Sequence, residues 1–130
     1  MPITPLFIAI FALIYIVLAM GVIRLRLGSG ISLGYGDHGE LERSVRAHAN
    51  FAEYVPFALL LLWSLEIVSY DSTLAFILGC VLLVARILHV IGIRDPQRFV
   101  LMRKIGIVAT FAVLLIASLR LIWLYLPIQL

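Results

Sequence analysis

Charge is what this sequence has least of. Only 13% of its 130 residues are Asp, Glu, Lys or Arg, about half the share a soluble domain carries, and 64% are hydrophobic. That balance excludes an ordinary soluble domain and points to a membrane protein. Cysteine is nearly absent as well. The single Cys80 cannot close an intramolecular disulfide, and within "LAFILGCVLLVA" it reads as a small apolar filler. The formal charge of +3 is too small to suggest a nucleic-acid partner. The N-terminal run "MPITPLFIAIFALIYIVLAMGVI" lacks a basic n-region and a small-residue cleavage pattern, so it is expected to stay as a first membrane helix. A crossing takes about 20 apolar residues, so the chain has room for about four and for no separate soluble domain. A single integral membrane domain over 1–130 is the expectation.

Four hydrophobic segments follow, with helices expected at about 5–27, 42–69, 72–92 and 96–126. The second is interrupted by Glu53 and Glu66, the third by Arg86, and the fourth by Arg103, Lys104 and Arg120. The first connection, "RLRLGSGISLGYGDHGE", holds five glycines and reads as mobile. The turn near "SYDST" offers Asp71 or Ser72 as an N-cap. In "GIRDPQR", Asp95 followed by Pro96 looks like a cap with proline at the first helical position. Short connections imply an antiparallel bundle. Nearly all basic residues fall in the first and third loops and the adjoining helix ends, Arg120 being the exception. The positive-inside rule then puts those loops in the cytoplasm and both termini outside. Arg26, Arg43, Arg103 and Lys104 need do no more than set that orientation. Arg120 can snorkel to the outer interface beside Trp123 and Tyr125.

One stretch asks for more than orientation. "ERSVRAHANFAEYVP", residues 42–56, puts polar groups into the mouth of the second helix. With Arg46 taken as zero, Asn50 falls at about +40°, Glu53 at about −20° and Arg43 at about +60°, a single stripe with His48 on the opposite side. Side chains so aligned can converge on one ligand. Glu53 lies about 10 Å deeper than Arg46, where an ionisable group faces a bundle interior or a wet cavity. The plainer alternative is an internal ion pair in which Arg46 neutralises Glu53 through Asn50. Pro56 can kink the helix just beyond. Arg86 and His89 share a face near the same end of helix three, and Arg98 is expected one turn into helix four. The result is a cationic pocket of Arg46, Arg86, Arg94, Arg98 and Arg24, with Asn50 and Glu53 at its floor. Such a pocket suits a small anion with several carboxylates and an ammonium group. No metal is implied.

These residues resemble a known family. The order Glu42-Arg43, Arg46-Ala47, Asn50, Glu53, Pro56 is similar to the second-helix signature of the membrane-associated proteins in eicosanoid and glutathione metabolism, the MAPEG superfamily. "VIRLRL" and "RDPQR" resemble the prostaglandin synthase of that family, and "GYGDHG" and "RILHVIGI" resemble its bacterial branch. The resemblance implies a homotrimer of four-helix protomers in the bacterial inner membrane, with glutathione bound between neighbours near the cytoplasmic face. Arg46, Asn50 and Glu53 would hold the glutathione, and Arg24 would contribute. Arg98 would hold its sulfur as a thiolate. His89 stands where prominent members have a glutathione-binding tyrosine; it could donate to the sulfur or bond within the bundle. Met102 and Ala49 also depart from the family pattern, which puts prostaglandin and leukotriene chemistry in doubt. Thiolate formation is not affected. Lowering a thiol of pKa about 8.5 by two units takes about 2.7 kcal/mol, and a guanidinium at about 4 Å supplies about 4 kcal/mol at an effective dielectric of 20.

The expected activity is transfer of glutathione to lipophilic electrophiles from the bilayer, reduction of hydroperoxides, or both. Two alternatives stand beside it: a small multidrug-type transporter using Glu53 as its mid-membrane carboxylate, and a glutathione-binding bundle without turnover.

Overall fold

The computed structural model describes residues 1–70 and 72–126. Four helices form, α1 (Thr4–Ser29), α2 (Gly39–Ser69), α3 (Ser72–Arg94) and α4 (Val100–Tyr125), and each is long and apolar enough to cross a membrane. No strand occurs among the described residues. The expected all-α four-helix membrane bundle is therefore what the chain adopts.

Local chemistry sets the ends. α1 has no cap from its own side chains. Instead Glu66, near the end of α2, accepts the backbone N–H groups of Ile3 at 2.7 Å and Thr4 at 2.9 Å. This carboxylate is buried because it satisfies orphan donors at the positive end of a helix. α1 stops at Gly30, whose φ of 72° is left-handed, the conformation that favours glycine there. The following loop is less free than its glycines suggest, since Arg26 Nη1 donates to the carbonyls of Ile31 (3.2 Å) and Gly34 (3.1 Å).

α2 begins at Gly39, earlier than expected, because His38 Nδ1 accepts the N–H of Leu41 at 3.2 Å. The helix runs through Pro56 without a break. α3 starts at Ser72; Asp71, the other cap candidate, lies outside the described residues.

The start of α4 differs from the expectation. Asp95 does not cap it. Its Oδ1 accepts the Arg98 N–H at 3.1 Å and its carbonyl accepts the Phe99 N–H at 2.9 Å, which closes a separate turn. Phe99, with φ −121° and ψ 31°, leaves helical geometry, and α4 begins only at Val100. Arg98 therefore sits on the turn between α3 and α4, not within α4.

The helices run antiparallel, with the end of α2 and the starts of α1 and α3 meeting around Glu66 and Ser72. α2 packs on all three others, whereas α1 and α4 do not touch. Phe11 against Phe51 (5.9 Å between centroids) and Tyr15 against His48 (4.7 Å) form the α1–α2 seam, which accounts for His48 lying off the polar stripe. The α3–α4 seam depends on glycine. A Cβ on Gly106 would stand 2.5 Å from the Ala85 carbonyl oxygen and 2.8 Å from His89 Cβ, and one on Gly92 would collide with the Arg103 backbone. Small residues of this kind let membrane helices approach closely.

Candidate functional site

At the end of the bundle where loops one and three lie, a cavity of about 700 Å³ opens between α2 and α4. Arg43, Arg46, Asn50 and Tyr54 line it from α2, on successive turns of one helix face. His89 and Ile93 come from α3, Pro96 from the turn, and Arg103 and Lys104 from α4. Four cations thus surround a space in which Glu42 is the one carboxylate among the lining residues.

Asn50 is held from behind. Its Oδ1 accepts Arg86 Nη2 at 2.8 Å, while Arg86 Nη1 reaches Thr110 Oγ1 at 3.5 Å and the guanidinium lies 5.8 Å from the Phe51 ring centroid. Arg86 is only 1% exposed and does not line this cavity. It is a strut joining α3 to α2 and α4. His89 is likewise 4% exposed. Its Nδ1 lies 3.3 Å from the Arg103 carbonyl oxygen, and because a carbonyl can only accept, this nitrogen carries the proton. Tyr54 is fixed by an edge-on contact with Phe111, 5.3 Å between centroids.

The fold thus gathers Arg46, Asn50 and His89 around one space and leaves the other sequence candidates elsewhere. Arg98 is exposed, its guanidinium lying 5.1 Å from the Phe99 ring centroid, outside the cavity lining. Arg24 and Arg94 line a second cavity with Arg43, between α1, α2 and α3. Glu53 is exposed on the outer face of the protomer. Among the described residues it makes no ion pair with Arg46, so the Arg46–Glu53 staple does not form within one chain; Arg86 is the residue that Asn50 binds. Tyr54, Arg103 and Lys104 were not among the sequence candidates. Tyr54 was legible, since it lies one turn beyond Asn50 and about 40° away on the wheel. Arg103 and Lys104 were not, because their part depends on where α4 begins and how closely it approaches α3.

A family assignment covers residues 4–123. The chain belongs to the MAPEG family. It is 31% identical over 128 residues to the inner membrane protein YecN of Escherichia coli K12, an alignment covering 98% of this chain and 95% of the relative; YecN of E. coli O6:H1 aligns to the same extent. Membership makes this a glutathione-related membrane protein in the broad sense of the MAPEG family. Four membrane-spanning helices and an inner-membrane relative make it a multi-pass protein of the inner membrane. Among the described residues no group of three His, Cys, Asp or Glu could hold a metal ion.

Proposed function

We propose that the protein is a glutathione-dependent enzyme that transfers glutathione to lipophilic electrophiles, or reduces hydroperoxides, through a cation-stabilised thiolate. The observation that carries this reading is the charge pattern of the cavity between α2 and α4, four cations around one carboxylate, in a chain of the MAPEG family. Glutathione offers two carboxylates, one ammonium and a thiol. Arginines suit the carboxylates in bidentate fashion, Glu42 suits the ammonium, and a remaining cation is free for the sulfur. Asn50, locked by Arg86, and Tyr54 supply neutral hydrogen-bonding groups.

In this reading a homotrimer completes the site. Glu53 is exposed on the protomer's outer face, about 10 Å deeper along α2 than Arg46. A bare carboxylate at that depth against lipid is costly, so a neighbouring copy covers this face and Glu53 serves the shared site. Loops one and three face the cytoplasm, where glutathione is available. Arg98 stands two residues from Pro96 on the cavity rim and reaches the sulfur by turning off Phe99; Arg103 is its rival within the cavity. Within one protomer Arg24 and Arg94 line a second cavity that meets this one at Arg43, and this reading assigns them no glutathione contact.

The test is a stopped-flow measurement of thiolate absorbance on mixing purified protein with glutathione at neutral pH. Thiolate is expected. It should be lost in Arg98→Ala while binding is partly kept. If Arg103→Ala loses it and Arg98→Ala does not, the sulfur-holding role moves to Arg103. Glutathione that binds without any thiolate signal in the wild type would sink the catalytic reading.

A further inference from the structure

We propose that the cleft between α1, α2 and α3 at the basic end of the bundle is a binding site for an anionic phospholipid, distinct from the glutathione cavity and meeting it at Arg43, which lines both. Its head is a cavity of about 430 Å³ in which Arg24 of α1, Arg43 of α2 and Arg94 of α3 converge, with Glu40 the one carboxylate on its wall. Arg24 and Arg94 are exposed and Arg43 half-buried. Among the described residues none of the three is ion-paired. Three guanidiniums against one carboxylate leave the head cationic, and guanidinium is the side-chain group best matched to phosphate.

The second observation is what lies beneath. A groove of about 280 Å³ continues between α1 and α3 and shares Leu18 and Arg94 with the head. Its walls are Ile14 and Val17 on one side and Ile87 and Val90 on the other, and Arg86 also lines it, buried and with its guanidinium bonded to Asn50. From Arg94 to Ile87 it descends about 10 Å along α3 into the hydrocarbon, and Val17 and Ile87 are 66% and 47% exposed there. A charged mouth above an apolar trough of that depth has the shape of a phospholipid, phosphate above and acyl chain below. Free phosphate or glutathione would leave the trough unused. The net positive head favours an anionic lipid over a zwitterionic one, whose own ammonium would meet the arginines.

Full-length protein, delipidated in detergent, is titrated with phosphatidylglycerol, phosphatidylcholine or inorganic phosphate, and bound lipid is counted by native mass spectrometry. Phosphatidylglycerol is expected to bind and to raise the melting temperature. Phosphatidylcholine should bind more weakly, and inorganic phosphate should not displace the lipid. Joint replacement of Arg24 and Arg94 by glutamine should weaken phosphatidylglycerol binding roughly thirtyfold, from about 1 kcal/mol per cation removed. Val17→Trp fills the trough and should reduce lipid binding while leaving glutathione binding unchanged. Equal affinity for the two lipids, displacement by inorganic phosphate, or unaltered lipid binding in either variant overturns the proposal. So does loss of glutathione binding in Val17→Trp, because the two sites would then be one. A wild type that binds no glutathione removes the proposed enzymatic function and leaves the lipid titration fully readable.

Discussion

Asn50 and Arg86 show how much depends on single polar contacts in an apolar bundle. The Arg86 guanidinium is buried, and Asn50 Oδ1 is its shortest hydrogen-bond acceptor. Asn50→Ala should therefore cost about 1.5–3 kcal/mol, the scale of a hydrogen bond to a charged group, and lower the unfolding midpoint in detergent. Asn50→Asp, which keeps the acceptor, should recover most of that stability. Glu66 offers a second case. Removing its carboxylate in Glu66→Ala orphans two N–H groups at the start of α1, with an expected loss of about 1–2 kcal/mol. Hydrogen exchange should then rise in the first turn of α1 and not in α4. The sequence marked both residues as costly interruptions of greasy helices, but it did not disclose their partners. Those partners lie 36 residues from Arg86 and 62 to 63 residues from Glu66.

At the scale of elements, the α3–α4 pair owes its closeness to two glycines and carries part of the proposed site. Gly106→Ala drives a methyl into the Ala85 carbonyl and the His89 backbone, neither of which can step aside. It should destabilise the protein by about 1–3 kcal/mol and weaken glutathione binding by displacing His89. Gly28→Ala in α1 is the control: nothing lies within 4 Å of the added methyl, so it should be neutral or slightly stabilising in a thermal melt. Helix number and rough extent could be read from hydropathy. The start of α4 could not, because Asp95 and Pro96 have the composition of a helix cap and here close an independent turn. That difference of one turn moves Arg98 out of α4 and leaves Arg103 and Lys104 as the α4 cations in the cavity.

For the molecule as a whole, the proposed topology and assembly can both be measured. In a Cys80→Ala background, cysteine placed at Gly36 in the first loop should resist an impermeant maleimide added outside intact cells. Cysteine at Tyr70 in the second loop should react. The reverse pattern would invert the proposed orientation and put the cationic cavity on the side without glutathione. Native mass spectrometry in mild detergent should give three copies, and Glu53→Arg should shift the mass toward monomer, because the substituted cation would enter the proposed shared face beside Arg46. A trimer that survives this substitution unchanged would place the interface elsewhere on the protomer.

Composition alone determined that the chain lives in a membrane, since 13% charged residues cannot clothe a soluble surface. The helix-two signature carried the resemblance to the family, and helical period aligned Arg43, Arg46 and Asn50 along one wall of the cavity. It did so because those residues lie on successive turns of one helix, where spacing in sequence is spacing in space. Tertiary structure decided which charges face a common cavity, which are struts and which look outward. Such choices are set by how closely helices approach, and so by where glycine removes a side chain and a distant carboxylate or amide finds its donor.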